Sequence, residues 1–199
     1  MEQPFSQVLP FVRRSKVIDE VDVGALLSDH ADIREMCDRV EALADRLLEA
    51  PDHDERSAIA DLIQSRFRKH VEITSRFLDR VFAGEQLRVG AGMLRRILLE
   101  QVAIGMHAED VGEMLREKGV DDSRTDMLSY MLRCLFDGCR RLLDYEELAF
   151  LYLGARRYTP GARMTLEQAL DQLIEIVERI FFRELFSPSV RRRHEVPKP

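Results

Sequence analysis

The sequence predicts an all-α protein, an up-and-down antiparallel bundle of five to six helices. Three observations lead there. Gly and Pro together supply only 17 of 199 residues, against roughly 12% in average chains. A β-sandwich or barrel needs a turn roughly every 8–12 residues, marked by Gly, Pro, Asn or Asp, and this chain has no Asn at all. Apolar residues also recur at alternating spacings of three and four over long stretches, the mark of a buried helix face.

Residues 1–22 carry Pro4, Pro10 and a basic cluster at Arg13, Arg14 and Lys16, and read as an irregular N-terminal arm. Residues 23–186 read as the helical bundle domain and 187–199 as a disordered basic tail. In the first helix, Ser28 and Asp29 offer N-cap oxygens. Leu26, Ile33, Cys37, Val40, Ala44 and Leu47 form its apolar face, and Pro51 ends it. A second helix is expected from about Asp54 to Phe82, with Ile59, Ile63, Phe67, Ile73, Phe77 and Val81 inside. The glycine-rich joint around 84–92 separates it from a third helix running to about Lys118, which Gly105 can divide. The fourth, about Arg124 to Leu153, is apolar around most of its circumference, as expected of a central or interface helix. Thr165 and Gln168 match a capping box for a last helix from about Leu166 to Phe186.

Net charge is −6, which argues against a nucleic-acid binder. No segment has the length and apolarity of a membrane span, and no signal peptide is evident. Cys37, Cys134 and Cys139 form no spaced framework and read as buried thiols of a cytoplasmic protein. No phosphate-cradling loop, nucleophile elbow or Cys/His zinc spacing is present. The order helix, turn, helix in HAEDVGEMLREKGVDDSRTDMLSYML is that of a DNA-reading motif, but its second helix is too apolar for a groove.

The histidines carry the remaining chemistry. His30 lies on the apolar face of the first helix, between Leu26 and Ile33. His70 lies between Phe67 and Ile73 on the second. Both therefore point inward, where an imidazole needs partners, and two inward histidines on neighbouring helices can meet around a metal ion.

LLSDHADIREMCDRVEALADRL and IADLIQSRFRKHVEITSRFLDRVF resemble the first two helices of hemerythrin-like cation-binding bundles, over about residues 26–82. The resemblance rests on the Asp29-His30 pair opening the first helix and on His70 late in the second. It implies a four-helix bundle of a family that binds non-haem iron, and binds or senses oxygen or iron. His107 is then the candidate third-helix ligand, and Glu146 or Glu147 the fourth-helix carboxylate. Thr74 stands where the family has a carboxylate one turn after His70. Leu142 and Leu143 stand four residues before Glu146 and Glu147, so the family's full di-iron shell is not assembled. The expected function is a non-enzymatic regulatory or interaction module with a degenerate metal site and no cofactor. Its partner would be a protein or a second copy docking on the apolar fourth helix as a homodimer. The alternative is a divergent iron- or oxygen-binding protein using His30, His70, His107, Glu146 and Glu147.

Overall fold

The structure is a computed structural model that describes residues 17–49, 51–82, 88–117 and 122–171. Among these it is all-helical. The helices are α1 (Glu20–Arg46), α2 (His53–Phe82), α3 (Arg88–Arg116) and α4 (Asp122–Gly154), with a short 3-10 turn at Leu47–Glu49. Residues 160–171 are also helical. The expected basic tail and the core of the glycine-rich joint lie outside the described residues. No described helix is long and apolar enough to cross a membrane.

Helix α1 begins at Glu20, eight residues before Ser28, inside the stretch expected to be an arm. Asp19 caps it, its Oδ1 accepting from the amides of Val21 and Asp22 at 3.1 and 3.0 Å. Pro51 keeps α1 and α2 apart, and the Asp52 carboxylate accepts from the Glu55 amide at 2.7 Å to start α2. Gly105 does not divide α3; its missing side chain leaves room for the Phe67 ring, 3.4 Å from where a Cβ would stand. The last helix starts earlier than Leu166. Thr159 is its cap, accepting from the Ala162 amide at 3.2 Å, and Thr165 instead bonds back to the Gly161 carbonyl inside the helix. Ile18 pairs with the loop after α4: its amide donates to the Arg157 carbonyl and its carbonyl accepts from Thr159, both at 2.9 Å.

Each long helix touches two others, α1 and α3 each packing against α2 and α4. Ion pairs mark the register of α1 on α2, with Arg46 on Glu55, Asp32 on Arg66 and Asp22 on Arg80. Arg34–Asp144 and Arg133–Asp45 do the same for α1 on α4, and Arg116–Asp61 for α3 on α2.

The core is divided in two. One apolar cluster holds Ile33 to Ala44 of α1 with Leu47 of the 3-10 turn, Ile59 to Phe67 of α2, Ile104 to Leu115 of α3 and Leu128 to Leu143 of α4. The other holds Val23 and Leu26, Phe77 and Val81, Ile97, and Ala149 and Phe150 from the same four helices, with Ile18, Ala162 and Leu166. On every helix the gap between the clusters is filled by polar residues. The apolar circumference of α4 goes mostly into these two clusters. Its exposed apolar groups are Met127 and Tyr130 near one end, and Leu148 and Tyr152 near the other. They form no continuous face along the helix. Cys37 and Cys139 meet across α1 and α4 and hydrogen-bond to one another, a pairing the sequence did not indicate.

Candidate metal centre

The polar layer is built from all four long helices. Helix α1 supplies Asp29 and His30, α2 His70 and Thr74, α3 Gln101, and α4 Glu146 and Glu147. All seven are buried. Each takes a position that helical spacing assigns to the core. Gln101 lies between Ile97 and Ile104, Thr74 between His70 and Phe77, and Glu146 between Leu142 and Ala149. The chain therefore folds these polar groups inward because their neighbours one turn away are apolar.

Both imidazoles direct Nε2 at one carboxylate oxygen. His30 Nε2 lies 3.2 Å from Glu146 Oε2, and His70 Nε2 lies 3.5 Å from the same atom. The rings are 5.6 Å apart at their centroids and tilted by 58°. Neither Nε2 completes a well-formed hydrogen bond. The opposite nitrogens are firmly held: His30 Nδ1 is 2.7 Å from Glu147 Oε1, and His70 Nδ1 is 2.8 Å from Asp29 Oδ2. A carboxylate facing each Nδ1 fixes a proton there and turns the Nε2 lone pair toward the centre. This is the outer-shell arrangement that orients metal-ligating histidines. Gln101 completes the frame, donating from its amide to Glu146 Oε1 at 2.8 Å. The Thr74 hydroxyl stands 3.5 Å from Oε2. Arg34 closes the α1–α4 edge, donating to Glu147 at 2.9 Å and to Asp144 at 3.3 Å.

The electrostatics of the metal-free layer follow from this geometry. Burial alone pushes the His70 pKa down, but the carboxylates of Asp29 and Glu146 outweigh it and lift the group to about 9. His30 is raised in the same way, against burial, by Glu146 and Glu147. Burial pushes Glu146 up, and the two imidazoles outweigh that and bring it to about 2. Without a metal the layer therefore favours the protonated form of both imidazoles, which with Arg34 face the carboxylates of Asp29, Glu146 and Glu147.

His30, His70 and Glu146 offer three ligand atoms within 4.8 Å of one another. They form the one such group among the described residues. Glu147 is adjacent but serves His30. His107 is not brought to the cluster: its Nε2 lies 2.9 Å from the Met131 carbonyl. It follows Gln101 by six residues, about 9 Å further along α3, which places it beside the first apolar cluster. Asp29, read from the sequence as a possible cap, is instead the buried anchor of His70. Thr74 and Gln101 were absent from the sequence-derived site, although each is a polar residue on an apolar helix face, the same signal that singled out His30 and His70. Comparisons with protein-family profiles, curated proteins and solved structures find no match to this chain.

Proposed function

We propose that this chain is a metal-binding regulatory module, non-enzymatic and hemerythrin-like in plan, that holds one divalent transition-metal ion between His30 Nε2, His70 Nε2 and Glu146. The observation that carries this reading is the convergence of two Nε2 atoms on one carboxylate oxygen while both Nδ1 atoms are tied to other carboxylates. Two imidazoles and one carboxylate are the donor set of non-haem iron(II) centres that keep coordination positions open, and zinc accepts the same set. An ion held there would act as a Lewis acid or, if iron, as a one-electron centre for a small ligand. The ion also fits the charge of the layer, since a dication in place of the two imidazolium protons leaves three positive charges against three negative. The ion pairs joining the start of one helix to the end of the next support an up-and-down antiparallel topology. The three free thiols fit a reducing, cytoplasmic setting.

Elemental analysis of protein purified without chelator, followed by cobalt(II) titration, tests this reading. About one ion per chain is expected. His30→Ala, His70→Ala and Glu146→Ala each abolish it, and His107→Ala retains it. A folded wild-type protein that takes up neither iron(II) nor cobalt(II) overturns the proposal. It would leave the second reading, an interaction module whose layer is a closed ionic core, which the three-against-three charge balance favours.

A further inference from the structure

The outer face of α3 carries an apolar stripe that the bundle does not use. Leu99, Val102 and Met106 are 59%, 61% and 63% exposed, and Leu98 beside them is 47% exposed. Three such residues at heptad spacing form a helix-pairing seam. The stripe continues in the same spacing to Arg95 at its N-terminal end and to Glu109 and Glu113 at its C-terminal end. Arg95, Glu109 and Glu113 are exposed and make no ion pair among the described residues. Alongside the stripe, Leu98, Val102 and Gly105 form one wall of a groove of about 630 Å³, with Phe67 and Val71 of α2 opposite.

We propose that this face of α3 is a homodimer interface in which two copies pair their α3 helices antiparallel about a two-fold axis at Val102. The pattern itself selects the occupant. A seam that is basic at one end and acidic at the other satisfies both ends only against a reversed copy of itself, which is the self-complementarity a two-fold interface demands. With the axis at Val102, Arg95 of each copy faces Glu109 of the other, and Leu98 faces Met106. Leu99 faces Gly105, where the absent side chain opens the wall of the groove. Complementary charges at the ends set the register and disfavour a parallel pairing, which would put like charges together. The contact is one helix face and a groove rim, at the small end of specific interfaces, so association is expected to be reversible and concentration-dependent.

Sedimentation of the full chain over a concentration series, together with cysteine cross-linking, tests the proposal. The wild type is expected to move from monomer to dimer with rising concentration. Val102→Glu holds it monomeric while leaving its far-UV spectrum and melting unchanged. Arg95→Glu and Glu109→Arg each weaken the dimer at least tenfold, and the double charge swap restores it. Val102→Cys sits on the axis and cross-links to itself under mild oxidation, giving a covalent dimer through that residue. A wild type that stays monomeric throughout and does not cross-link at Val102→Cys overturns the proposal, including the case in which residues 172–199 cover the stripe. A dimer indifferent to Val102→Glu overturns it as well.

Discussion

Two layers of this bundle are built on opposite principles. Around Leu132, Leu135, Leu43 and Val111, apolar side chains fill the interior, and each stabilises simply by leaving water. Around Glu146, α1, α2 and α4 bury five ionisable groups, Asp29, His30, His70, Glu146 and Glu147. Taking charges out of water costs several kcal/mol per ion, which pairing only partly offsets. Well-packed apolar residues in place of buried ion pairs often leave a protein as stable or more so. The contrast separates a part of the core that stabilises by apolar burial from a part whose burial is costly.

The sharpest way to break this contrast is at Glu146. Glu146→Ala leaves two buried imidazoles without their shared anion and is expected to cost about 3–5 kcal/mol in urea unfolding of the metal-free protein. Replacing Asp29, His30, His70, Gln101, Glu146 and Glu147 together by Leu is expected to leave stability within about 1–2 kcal/mol of the parent, or above it. A collapse of that variant would show that the layer does hold the fold. In the apolar layer, Leu132→Ala is expected to cost about 2–5 kcal/mol and, unlike Glu146→Ala, to leave metal content unchanged.

The pH dependence sharpens the comparison, because only the polar layer titrates. His70 sits at about 9 in the metal-free fold, against roughly 6.5 unfolded. Its contribution is fully present below pH 6.5 and is lost as pH rises through about 9, a loss of up to about 3 kcal/mol. Glu146 sits at about 2, so its contribution is present above about pH 4.5 and is lost as pH falls toward 2. Thermal melts of the metal-free protein should therefore fall between pH 6.5 and 9. The metal-loaded protein should show the opposite trend, since neutral imidazoles are what the ion needs. The smallest effect is at the edge: Arg34→Ala removes a partly exposed guanidinium and is expected to cost about 1 kcal/mol or less, with metal retained.

Much of this was legible in the chain. The all-helical class and the inward aim of His30 and His70 followed from composition and spacing. The carboxylate was narrowed to Glu146 or Glu147, but two adjacent residues point about 100° apart on a helix. Only the packing of α4 on α1 and α2 determines which one meets both imidazoles. The start of α1 was misplaced because Ser28 and Asp29 are good caps, while Asp19 with Asp22 three residues on is an equally good signal further upstream. His107 looked like a third ligand because height along the bundle axis is invisible in one helix read by itself. The pairing of Cys37 with Cys139 depends in the same way on the relative height of two distant helices.

That dependence on height has a counterpart in folding. Leucines and isoleucines on either side of the layer pack almost as well after a one-turn slip. The layer does not tolerate such a slip: moving any one helix by a turn would strand a charge against aliphatic carbon. Four helices must arrive at one level together, so the layer works as a combination lock that rejects near-miss alignments. The all-leucine variant should keep its helix content yet lose this selectivity, which would appear as doubled or broadened amide resonances where the parent gives one sharp set.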